Sequence, residues 1–524
     1  MSISASRRLL VVAITVAVAF GLASCTGNKP PAADTSTLET AFSFNMQSPD
    51  PDIFFENEGL TVIMAAYEGL LRHPPNAPTP VIEPWLATSY EQAPDGLTYT
   101  FKLRPEAKFH DGSPVDAAAV KFSFERRMKI NAGPAEATFG VDTVEAPDPT
   151  TVIVHMKHPV SAFIPFMASG YGLKIISPKT VKEHEVDGDL GQKWLETHDA
   201  GSGPYTIESF KHDGYVLKRF DGYWNDKAGF ETVNIRIIPD FGSQTLQLEN
   251  GQLDVMIHGT PTLSLERLQQ KGFKVWTEAT FNRTTMWLNP KTPAFATPEL
   301  RLAVAAAIDR QRIIDQVWGK YATLALQMYP AKAMPDEFAH YTVAHDPSEL
   351  KPLVDKLPAN QRKVDLAFTN DDPDNQPMAQ IIQASLATAG LEVTSRPVPQ
   401  PEIFSYSTKP SIRPDAVVLG GASSDAASPD PWARLFYTEK APLNFFQAAT
   451  GNDADKVLDQ ATKTVNQEEQ NKLYDQAAKL YEASGLFIPI ADRPEVIVTR
   501  PGLTGVEHEF VSPFAIRVAS LRNE

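Results

Sequence analysis

Residues 97–128 read LTYTFKLRPEAKFHDGSPVDAAAVKFSFERRM, and the order of patterns within them decides what kind of fold the chain builds. Tyr99, Phe101 and Leu103 alternate with Thr98, Thr100 and Lys102, the period of two expected of a strand with one buried face. Asp111-Gly112 supplies turn chemistry, and Asp116 stands where its carboxylate can accept the first free N–H groups of a helix. YVLKRF (215–220), VNIRIIP (233–239), VDLAFT (364–369) and DAVVLG (415–420) are strand candidates. Between and beyond them, Met378 to Ala389 and Ala454 to Ala483 carry helical periodicity, and residues 298–318 place Leu300, Val304, Ala307, Ile308 and Ile314 on one face of a helix. Strands and helices alternate in two blocks, which predicts α/β lobes.

Composition narrows the function. The 524 residues include 48 basic and 64 acidic side chains, a formal charge of −16, and this acidity argues against nucleic acid as a partner because phosphates would be repelled. Length predicts about three domains. The 43 prolines, spread along the chain, predict short connections and few very long helices. No internal repeat of solenoid length interrupts the body.

Cys25 is the only cysteine, so internal disulfides and thiolate metal sites are excluded and stability must come from the core. Arg7 and Arg8 precede an uncharged run from Leu9 to Ala23, the pattern of a secretory leader and too short for a membrane span of roughly 20 residues. Leu22-Ala23-Ser24-Cys25 resembles the bacterial lipobox, which implies cleavage before Cys25 and a thioether-linked diacyl lipid on it. Residues 1–24 are therefore expected to be a lipoprotein signal peptide and residues 25–37 a flexible tether. Loss of Arg7 and Arg8 would bring the mature charge to −18, suited to a soluble body held off an anionic membrane.

An ordered set of blocks resembles a known family. AAYEGLLRHPP (65–75), the run from Glu83 to Arg126, GSGPYTIESF (201–210), FDGYW (220–224), LENGQLDV (248–255), PELRLAVAAAIDR (298–310), SDAASPDPW (424–432) and IPIADRPEVIVTRPGLTGV (488–506) are similar, in order, to the extracytoplasmic solute-binding proteins of peptide and nickel ABC transporters, bacterial solute-binding protein family 5. The resemblance implies a two-lobed, type II periplasmic-binding-protein-like clamshell with an extra domain inserted in the first lobe. Lobe one would comprise residues 38–70, 180–283 and 489–524, the added domain 71–179, and lobe two 284–488. It further implies a monomer on the outer face of the cell membrane that captures short peptides or another small solute in an interlobe cleft and delivers them to ABC permease subunits.

In the family an aspartate of the second lobe receives a peptide's α-ammonium, and Asp425, four residues ahead of Pro429, matches it; a turn aspartate bonding its own backbone is the bland alternative. Two positions depart from the family's peptide binders. Ala422 stands where a tryptophan commonly walls the pocket, and residues 370–377, NDDPDNQP, lack the arginine with which dipeptide binders hold the α-carboxylate. A carboxylate there would meet Asp371, Asp372 and Asp374, which favours peptides longer than dipeptides or a cationic solute, unless those acids form a solvated loop. Tyr67 and Glu68, Trp287 and Asn289 at the hinge crossing, and Trp432 are further ligand candidates, each with core or hinge packing as the alternative.

No catalytic apparatus is legible. The eleven histidines are scattered, HExxH and GxSxG are absent, and without a P-loop any ATP must be hydrolysed by a partner. The expectation is a binding protein without enzyme activity, cofactor or protein-built metal site. A binder of a metal chelate or haem in the same fold is the alternative, and a cell-envelope hydrolase the alternative of a different class, distinguished by whether the ligand is returned unchanged.

Overall fold

Alternating side chains create the central layer of the molecule. In the computed structural model, which describes residues 36–524 apart from Ala339 and Asp371, six strands lie in the order Thr323–Leu324, Phe487–Asp492, Arg283–Leu288, Ala416–Ala422, Lys363–Thr369, Glu392–Val398. Met286, Leu288, Val364, Leu366, Phe368 and Val418 point into one core, Trp287, Ala367, Val417 and Leu419 into another, so the sheet is buried on both faces. The pairings are antiparallel on one side and parallel from Ala416–Ala422 outward. The helix Asn375–Thr388 makes the crossover that parallel neighbours require.

A second sheet pairs Thr37–Phe42 in parallel with Thr232–Ile237 and continues antiparallel through Gly214–Arg219 to Tyr205–Lys211. A three-stranded sheet places Glu495–Thr499 between Val255–Met256 and Lys274–Glu278. The chain thus passes from the six-stranded sheet to this one between Asp492 and Glu495.

The opening stretch folds as read. Thr98–Leu103 is a strand of an antiparallel four-stranded sheet, flanked by Ala87–Gln92 and Thr151–Met156, with Tyr99, Phe101 and Leu103 buried. Gly112 adopts φ +79° in the predicted turn, a conformation that favours glycine, and Asp116 accepts from the Ala119 N–H at 2.9 Å to cap the helix Ala117–Ile130. Helix and sheet enclose a core of their own.

Two expected helices are divided. The run from Pro298 ends at Ala307 because Ile308 turns extended, and Asp309 caps a fresh start at Arg310. The span from Ala454 to Ala483 is two helices, Ala454–Lys463 and Gln467–Ser484, separated where Asn466 accepts from the Glu469 N–H. In both places a side-chain cap competes with continuation and wins. Among the described residues no helix is long and apolar enough to cross a membrane. Cys25, the leader and most of the expected tether lie outside the described residues.

Candidate ligand-binding site

Asp425 sits on the turn between the strand Ala416–Ala422 and the helix Pro429–Phe436. Local bonds fix the turn: the Ser424 hydroxyl donates to the Ala426 carbonyl at 2.7 Å, and Ser428 caps the helix. Its neighbour Ala426 is buried in the core of the added sheet and helix, alongside Ala137 and Met167. The Ser169 hydroxyl donates to the backbone carbonyl of Asp425. Two parts of the chain far apart in sequence therefore close over this turn.

The side chain of Asp425 is 6% exposed, and among the described residues nothing donates to its carboxylate or pairs with it. Burial, then the charge of Glu136, holds its pKa well above the ordinary carboxylate range. Glu136, on the 3₁₀ turn Gly133–Thr138, is itself pushed up to about 7 by burial and by Asp430. The cation that reaches Glu136, Arg434, is shared. Arg434 holds Asp430 at 3.1 Å and Asp459 at 2.9 Å, while the Thr462 hydroxyl also donates to Asp430. One end of the site is thus short of positive charge.

The same seam is bonded on either side. The Ser161 N–H donates to the Thr462 carbonyl at 3.0 Å and its hydroxyl meets the Tyr474 hydroxyl at 2.7 Å. At the far end Thr262 donates to Asp374.

That far end revises the reading of the acidic loop. Asp372 is paired with Arg493 at 2.7 Å, and Asp374 is buried and pushed up to about 6 by burial and by Asp372. Asp372 and Asp374 are neither a solvated loop nor an unopposed barrier to a carboxylate. Asp371 lies outside the described residues. Arg493 also donates to the Gly420 carbonyl at 3.1 Å and stacks 4.9 Å from the Trp318 ring centroid. The base missing from residues 370–377 comes from the crossing segment more than a hundred residues later, so a search confined to the loop could not find it. Glu136 gave no signal either, standing in an irregular stretch with no periodicity.

The other candidates are enclosed. Glu68 accepts from Trp85 (2.7 Å), Ser202 (2.8 Å), Tyr223 (2.8 Å) and Trp224 (3.1 Å), so its hydrogen-bonding capacity is met within the protein, while burial outweighs these donors and holds its pKa above the ordinary value. Tyr67 is buried beside it, its hydroxyl accepting from the Ala200 N–H. Trp287 packs against Phe436 and Phe445, and Trp432 against Phe436 and Tyr437. Asn289 donates to the Pro414 carbonyl at 3.3 Å, in the turn that follows its strand. Among the described residues no cluster of three or more His, Cys, Asp and Glu is arranged to hold a metal.

Residues 81–443 match the family described as bacterial extracellular solute-binding proteins, family 5. The chain belongs to that family. This family-5 protein is 28% identical over 443 residues to the probable D,D-dipeptide-binding periplasmic protein DdpA of Escherichia coli K12, covering 83% of this chain and 84% of that one. It is 24% identical over 513 residues to the nickel-binding periplasmic protein of the same organism, covering 93% and 95%. Its fold superposes, with a TM-score of 0.79 and 22% identity over 93% of this chain and 98% of the other, on the ABC transporter-associated periplasmic binding protein DppA from Helicobacter pylori in complex with the peptide STSA. The family-5 fold is the type II periplasmic-binding architecture, and the family consists of solute-binding proteins.

Proposed function

We propose that this family-5 protein is the lipid-anchored receptor of an ABC importer, monomeric on the outer face of the cell membrane, that captures short peptides between two lobes and hands them unchanged to permease subunits. Lobe one is taken as residues 38–70, 180–283 and 489–524, with the added domain at 71–179, and lobe two as residues 284–488, although the lobe-two sheet runs on to Asp492 before the chain crosses. A buried, unpartnered carboxylate at Asp425 carries the reading: a charge left so is costly, and a ligand ammonium would supply what the protein withholds. Peptides suit such a site because their ends and backbone are common to all sequences. A relative named for D,D-dipeptides and a fold neighbour holding the peptide STSA support the class of solute, while the relative named for nickel shows that the family also takes other solutes. With Asp372 matched by Arg493, repulsion no longer argues against dipeptides, so length is read from a di-, tri- and tetrapeptide series.

Calorimetry of that series on the purified protein tests the proposal. Asp425→Ala is expected to weaken a peptide that binds by about 30-fold or more, the usual cost of truncating one partner of a buried charge pair. Unchanged affinity would remove the ammonium role. For the anchor, Cys25→Ser is expected to move the protein from membrane to soluble fractions, and retention at the membrane would contradict it.

A further inference from the structure

Resting on the reading of Asp425 as the ammonium site, we infer that Glu136 of the added domain is a second, specificity-determining ligand residue, so that the ammonium is held between carboxylates of two different lobes. Geometry carries this. Ala137 and Ala426, the residues next to Glu136 and Asp425, are buried in the same core, the Ser169 hydroxyl holds the Asp425 backbone to it, and the charge of Glu136 reaches Asp425. Asp425 is more than nine-tenths buried and nothing among the described residues donates to its carboxylate, and the Glu136 carboxylate likewise makes no hydrogen bond or ion pair among them.

The groups facing the pair compensate it only in part. Around Glu136 stand Asp425, Asp430 and Arg434, and Arg434 is spent on Asp430 and Asp459. Around Asp425 stand Glu136 and the buried hydroxyl of Tyr171, which already donates to the Glu56 carbonyl at 2.9 Å and to Asn57. An ammonium has three N–H donors, enough to bridge both carboxylates while keeping one for a backbone carbonyl. One acid could be met from a single lobe. Two acids from opposing segments make the cation a tie between lobes, and each then favours closure by its differential contact.

The ammonium has two sources, the peptide's α-amine or a lysine side chain. Binding is measured on the purified protein and on Glu136→Gln for a free-amine peptide, its N-acetylated form, and an N-acetylated peptide carrying lysine, with thermal melts confirming that the variant folds. Glu136→Gln is expected to weaken whichever ammonium-bearing peptide binds by about tenfold, the scale of one charged hydrogen bond. The N-acetylated peptide without lysine is expected to bind both proteins equally weakly. A folded Glu136→Gln with wild-type affinity for a peptide that still requires Asp425 would overturn the role of Glu136 alone. Failure of every ammonium-bearing peptide to bind the wild-type protein would overturn both readings.

Discussion

Arg126 and Arg127 close the stretch from which the fold was read, and on a helix they suggest a solvated face. Both are fully buried. Arg126 grips Asp50 with two bonds of 2.8 and 2.6 Å and reaches Asp52 at 2.5 Å, while Arg127 holds Asp52 at 2.7 Å and the Pro51 carbonyl at 2.8 Å. The helix thereby ties down the loop from Ser48 to Asp52. Removing one member strands a buried opposite charge, so Arg126→Ala is expected to cost about 3–5 kcal/mol in denaturant unfolding. Arg126→Lys should also destabilise, because an ammonium cannot reproduce the forked contact. A loss below 1 kcal/mol for both would contradict the account. At this scale the sequence was least legible: residue type names Arg126 as charged, and only the approach of Asp50, 76 positions away, makes it internal. The same applies to Arg493, whose partner Asp372 lies in another block, and to Glu136.

Elements were more legible because their signals are local. Alternation located the strand Thr98–Leu103, short apolar segments located Gly214–Arg219, Thr232–Ile237, Lys363–Thr369 and Ala416–Ala422, and the Asp116 cap located a helix start, since neighbouring residues alone carry these signals. Periodicity failed where one apolar face ran on through a break. Ala307 and Ile313 are both in the core although the chain turns between them, and the pair of helices after Asp453 shares one apolar surface across the gap at Thr464 to Asn466. A hydrophobic pattern records which side chains are buried and does not require the backbone between them to be continuous. The helix end before the gap also leaves the Thr462 carbonyl free to accept from the Ser161 N–H, so the break contributes to the seam beside Asp425.

Across the whole molecule the ionisable groups lean one way between pH 6.5 and 8. Burial, then repulsion from Asp430, raises Glu136 to about 7, so the folded protein keeps a proton that the unfolded chain has lost. His110 and His258 act alike: burial opposes their charged forms, but Asp199 and Glu58 outweigh it and raise both above the usual imidazole value. In each case the native state binds more protons than the unfolded one, and its stability falls as pH rises through the raised pKa. The lowered groups act outside this window. His508, depressed to about 4 by burial, and His73, also lowered by burial, add stability mainly as pH rises towards 6.5, and Lys174, depressed to about 8 by burial, does so mainly above that value. The unliganded protein is therefore expected to lose about 2–4 °C in melting temperature from pH 6.5 to 8. Glu136→Gln should reduce the loss, because an amide has no proton to surrender. A cation-bearing ligand should reduce it too, by replacing the proton at Glu136 and Asp425 with a charge that stays as pH rises. A melting temperature that rises across this window without ligand would show that the two seam acids are compensated in solution, and would leave the ammonium without its site.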